Sequence, residues 1–234
     1  MRTGHLHRVA SALICILLVL PVGFSASATA SSPLERLSEA LHVLKEMSQQ
    51  DDVGTMARLL EKAKGVAIFP SVVKASLGIG ARYGKGLVLR RDSATGGWYG
   101  PGFIEITGLS WGFQAGVQST ALVLVITNEN GMRAFEGGKI TLGGELAVAA
   151  GPVGRHAEAG TDLDFKASIY SYSMSRGAFA GISLEGAKID PDEPANELYW
   201  GSALSPGEIL ARKAADNRAK PLIQELNRLI AEAR

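Results

Sequence analysis

Apolar residues recur at Leu34, Leu37, Leu41 and Leu44, spaced by three and four, which predicts an amphipathic helix from Pro33 onward. A break over Gln49 to Asp52 leads to Met56, Leu59, Leu60 and Ala63, a second and shorter helix that Gly65 stops. From Gly65 to Ala187 the texture changes to short runs of strand type. GVAIFP predicts a buried strand ended by Pro70, and Ala121 to Ile126 is continuously apolar, as suits a central strand. Leu163, Phe165, Ala167 and Ile169 alternate with Asp164, Lys166, Ser168 and Tyr170, the pattern of a half-buried strand. Turn signals fall at Thr95-Gly96-Gly97, Asn130-Gly131 and Gly137-Gly138. An acidic, proline-bearing stretch opening with Asp190-Pro191-Asp192 predicts a linker over 190–204. Ser205, Pro206 and Glu208 then form a capped helix start. Leu222, Leu226, Leu229 and Ile230 supply an apolar stripe, with Pro221 kinking or dividing the helix. The pattern predicts one α+β domain over 31–234: a glycine-rich, curled antiparallel sheet, barrel- or sandwich-like, covered by N- and C-terminal helices.

Residues 1–30 read differently. Arg2 and Arg8 precede an apolar run from Val9 to Phe24, and Ala28-Thr29-Ala30 supplies the small residues that a signal peptidase reads. The run is too brief to span a bilayer comfortably, so a cleaved Sec-type signal peptide and a periplasmic or secreted location are expected. The single cysteine, Cys15, lies in this segment and lacks the surroundings of a lipoprotein cysteine. The mature chain would then hold neither disulfides nor thiol chemistry. Setting Arg2 and Arg8 aside from 24 basic residues leaves it near neutrality against 23 acidic ones, which argues against a wholesale nucleic-acid binder.

The stretch ASLGIGARYGKG resembles a phosphate loop in composition but not in spacing: a Walker loop would need glycine at Ile79 and a hydroxyl at Gly86. Gly78, Gly80, Gly84 and Gly86 are instead all even positions, so on a strand they share a face across which another backbone can pass. Gly108-Leu109-Ser110-Trp111-Gly112 matches the nucleophile elbow, with His156 as the available base, but Phe113 to Gln118 look extended where the motif needs a helix. A serine hydrolase is therefore the enzyme alternative to a non-catalytic protein. His156, Glu158, Asp162 and Asp164 read as a solvated loop rather than a metal site, and no cofactor is expected. Lys74, Arg82, Lys85, Arg90 and Arg91 are five cations in a segment without an acid. They form the candidate lipid-binding site, a local positive patch for an anionic phospholipid or membrane surface.

The run KAKGVAIFPSVVKASLGIGARYGKG, followed by WYGPGFIEI, GFQAGVQS, LVLVITNENG, LGGELAVAAGPVGR and YSYSMSRGAFAGISLEGA, resembles the SYLF domain family over roughly Leu34 to Trp200. The resemblance implies a binding domain, related to exported bacterial proteins and to eukaryotic members that bind phosphoinositides and, in yeast, actin filaments. In some relatives the amphipathic helix at the domain's start contributes to membrane contact. Here that helical region is slightly acidic, which makes it a poor electrostatic anchor. Ala121 also stands where the family often has aspartate, and Ser76 where it often has glycine. An exported protein would not meet actin, so lipid binding transfers as an expectation and actin binding does not. A protein-interaction module of the envelope is the other reading.

Overall fold

A computed structural model describes residues 31–50, 53–144, 146–151, 167–175, 178–179, 182–214 and 216–233, with the backbone alone at 53, 77–78, 110–115 and 179. Residues 1–30, expected to be a signal peptide, and the cluster His156, Glu158, Asp162 and Asp164 lie outside these residues.

Helix α1 spans Pro33–Ser48 and starts on a capping box, in which Ser32 accepts from the Glu35 amide and Glu35 reaches back. Helix α2 follows at Val53–Lys62. Strands β1 (Gly65–Arg91) and β2 (Trp98–Ile126) then form one long antiparallel hairpin, with Gly65 opposite Ile126 and Arg91 opposite Trp98. The expected end of the first strand at Pro70 does not occur. β1 runs on, and the register shifts between Phe69 and Val72, so the residue that lacks an amide hydrogen sits in a bulge.

At Gly84 and Gly86 the glycine face does what its spacing suggested. A Cβ on Gly86 would lie 2.4 Å from the Ile68 carbonyl oxygen, and one on Gly84 would lie 2.7 Å from that of Ser71. The Arg91 amide also donates to the Lys64 carbonyl at 2.8 Å. The hairpin is thus doubled over, with the first and last thirds of β1 in contact. No side chain fits between them, and the middle, near 73–83 and 107–119, is left at the fold-back.

Helix α3 (Glu129–Gly137) follows β2. Asn130-Gly131 is the first turn of this helix and not a loop, because Asn128 caps it by accepting from the Gly131 amide. Strands β3 (Ile140–Thr141), β4 (Val148–Ala150), β5 (Ile169–Ser175), β6 (Ala178–Phe179) and β7 (Lys188–Pro191) complete seven strands among the described residues. Of the alternating run through Ile169, Ala167 and Ser168 precede β5 and residues 163–166 lie outside the description. β2 is shared: its later half pairs with β5 and its earlier half with β7. The sheet departs from the antiparallel expectation at one pairing, since β4 runs parallel to β5. The chain between Ala150 and Ile169 is long enough for the crossover that a parallel pair requires.

Residues 190–204 are not a linker. They finish β7 and form helix α4 (Glu193–Trp200), which Asp192 caps through the Ala195 amide. Helix α5 (Pro206–Ala211) carries the expected capping box of Ser205 and Glu208, and Pro221 lies in the first turn of the separate helix α6 (Lys220–Glu232).

Both faces of the sheet are covered. Val66, Ile68, Leu87, Leu89, Val123 and Val125 pack with α1, α2 and α6, while Ala67, Phe69, Val88, Leu122, Leu124 and Ile126 pack with α3 and α5. This is an α+β domain, and residues 31–234 cluster as one unit. Among the described residues no helix is long and apolar enough to cross a membrane.

Candidate binding surface

The structure does not gather the five cations into one open patch. Lys74 is half-buried on the fold-back of β1, opposite Gln118, with no ion pair among the described residues. Lys85 instead reaches inward, its Nζ 3.0 Å from Asp192 Oδ2. The buried Arg36 of α1 binds the same oxygen at 2.7 Å and lies 5.7 Å from the centre of the Phe103 ring. Burial alone would raise the Asp192 pKa, but hydrogen bonds from Lys85 and Arg36 outweigh it and hold the carboxyl below the usual range. This buried triad joins α1, β1 and the start of α4.

Arg90 sits 3.5 Å from Glu136 and 5.4 Å from the Tyr99 ring centre. Arg91 is buried and donates to the Leu60 and Glu61 carbonyls at the end of α2, a cation placed on the negative end of a helix. Its guanidinium lies 5.8 Å from the centre of the Trp98 ring. Lys85, Arg90 and Arg91 are therefore structural cations. Alternation on a strand marked which face each occupies, but not which carboxylate or helix end the fold brings to it.

Arg82 is the exception. It is only 9% exposed, and it donates to the Ser183 carbonyl while its Nε has no partner among the described residues. It pairs in register with Gly108, where a Cβ would lie 3.2 Å from Arg82 Cγ and Cδ, so the arginine stem lies flat over the glycine. Burial lowers the Arg82 pKa with no carboxylate to oppose it.

The feature that sequence reasoning missed is apolar. Val73, Ile79, Tyr83, Leu109 and Val117 are 41%, 56%, 47%, 68% and 78% exposed. Strand alternation puts Val73, Ile79 and Tyr83 on one face, and register adds Leu109 opposite Ala81 and Val117 opposite Ala75. Tyr83 is anchored there by donating to Glu105 at 3.1 Å. The odd-numbered apolar positions of β1 were legible; their exposure was not, because it follows from the fold-back. In contrast, α1 buries its apolar face, with Leu37, Ala40, Val43, Leu44 and Met47 all in the core.

Ser110 lies inside β2 opposite Gly80, with strand on both sides. The strand–turn–helix of a nucleophile elbow is absent at this position.

Comparison with known proteins now places the fold. A family profile described as "Ysc84: Las17-binding protein actin regulator" matches residues 107–229. The chain belongs to this family. It is 42% identical to the SH3 domain-containing YSC84-like protein 1 of Xenopus laevis over 61% of this chain and 42% of that protein. The human protein of the same name is 39% identical, over 66% of this chain and 45% of its own length. Protein YSC84 of Saccharomyces cerevisiae is 37% identical over 72% of this chain and 36% of its own length. The chain thus spans under half the length of each of these three relatives. The profile's description is of a binding and regulatory protein, and the expectation that actin is not a partner finds no support in it.

Proposed function

We propose that this Ysc84-family domain is a non-catalytic module that attaches peripherally to anionic phospholipid membranes through the folded-back ribbon of β1 and β2. The observation that carries the reading is the set of five exposed apolar side chains on one ribbon face. Apolar groups left in water at a projecting edge mark an interaction surface, and an aromatic phenol beside aliphatic side chains suits the boundary between headgroups and acyl chains. Lys74 on the same ribbon adds attraction to a negative surface, each such charge being worth about 1 kcal/mol. Because the other cations are dispersed, attachment rests on apolar insertion more than on charge. A protein partner is the second reading, favoured by the binding description of the family profile, and the same ribbon would serve it.

Flotation of the protein with phosphatidylcholine vesicles, with and without phosphatidylglycerol, tests the membrane reading. Co-flotation that increases with the anionic lipid and survives raised salt in part is expected. No association with either vesicle at low salt would overturn it.

A further inference from the structure

Beside the ribbon, where β2 passes the start of β7, lies an open groove of about 440 Å³ lined by Ala81, Arg82, Thr107, Gly108, Leu109, Gly186 and Lys188. Its size is that of a small-ligand site. Among the described residues two of the lining side chains are cationic and none is acidic. The neighbouring Glu185 packs over Gly143 and lines a different groove. Lys188 is exposed and pairs across the sheet with Thr107, whose hydroxyl is a further donor.

Arg82 makes this more than a basic surface. Nine-tenths of it is buried, it has no carboxylate partner among the described residues, and its Nε has no hydrogen-bond acceptor. A guanidinium removed from water in this way lacks compensation that an anion would supply. Arg36 differs in having the Asp192 carboxylate; Arg82 donates to the Ser183 carbonyl, as Arg91 does to carbonyls of α2, but Arg82 lines an open groove. Gly108 contributes by leaving room for the arginine stem, which explains the first glycine of the elbow-like motif without catalysis.

We infer that this groove is a phosphate site, in which Arg82 and Lys188 hold a phosphate group and Thr107 donates a further hydrogen bond. The group is carried by a phospholipid headgroup or is free phosphate. Arginine suits either through its planar fork of donors. The headgroup form rests on the membrane reading above, since Leu109 belongs both to the groove wall and to the exposed ribbon face. The free-phosphate form does not.

Calorimetric titration of the full chain with inorganic phosphate and with soluble glycerophosphoglycerol, alongside vesicle flotation, tests the inference. Saturable binding is expected, weakened roughly ten-fold or more by Lys188→Glu and by Arg82→Lys, which keeps the charge but loses the fork. Lys188 is exposed, so its variant should keep the urea midpoint and remains decisive even if Arg82→Lys unfolds. Vesicle binding that both variants leave unchanged, with no titration by either soluble phosphate, overturns the groove while the membrane reading stands. Saturable, variant-sensitive phosphate binding without flotation keeps the groove, with free phosphate as its ligand, and removes the membrane reading.

Discussion

Replacing Ile79 and Leu109 together with serine removes two apolar side chains from the ribbon without touching the core. Ile79 is 56% exposed and Leu109 68% exposed, so these fractions remain to be buried on contact with a membrane. Full burial of such a side chain is worth about 2 kcal/mol, so the exposed parts amount to about 2.5 kcal/mol for the pair. That predicts a partition coefficient onto phosphatidylglycerol-containing vesicles roughly seventy-fold lower. The loss should persist at high salt, because apolar burial, unlike attraction between exposed charges, is not screened. Folding should be unaffected within about 0.5 kcal/mol, as both side chains already face water. Leu198→Ser is the control: Leu198 is 70% exposed but lies on α4, outside the ribbon. The assay is sedimentation or flotation over a range of lipid concentrations at low and high salt. Equal partitioning of the double variant and the parent would contradict apolar insertion by the ribbon, and so would an equal loss in Leu198→Ser.

Two further outcomes are expected of the scaffold. Gly86→Ala should destabilise the domain by about 2 kcal/mol or more, because its Cβ would lie 2.4 Å from a backbone oxygen that cannot move aside cheaply; an unchanged urea midpoint would show that the strand does not pass there. Asp192→Ala should cost about 3–5 kcal/mol by leaving Arg36 buried without its partner. The Asp192 pKa is depressed in the fold, so its contribution is complete above the unfolded value of about 3.9 and fades as pH falls through the lower folded value. The stability gap between the parent and Asp192→Asn should accordingly narrow below about pH 4, and a gap constant from pH 6 to pH 3 would count against the triad.

Local pattern determined the helices at both ends, because the i, i+3, i+4 stripes of α1 and α6 and the capping boxes at Ser32 and Ser205 are short-range signals. It also determined that the even-numbered glycines of β1 share a face made for close approach. Pattern failed where a local signal had two outcomes. Asn130-Gly131 suits a turn or a capped helix start, and Pro70 suits a strand end or a bulge; the Asn128 cap chose the second in one case and pairing with β2 chose it in the other.

The candidate site was legible only in part. A cation's position in sequence does not say whether a carboxylate from far along the chain will meet it, as Asp192 meets Lys85. Nor does an apolar residue on a strand reveal whether its face is covered. Periodicity is a property of neighbours along the chain and fixes which side chains travel together. Pairing, burial and exposure depend on segments far apart along the chain, as Lys85 and Asp192 are, so only the folded chain turned three of the cations inward and left the ribbon face of Ile79, Leu109 and Val117 in water.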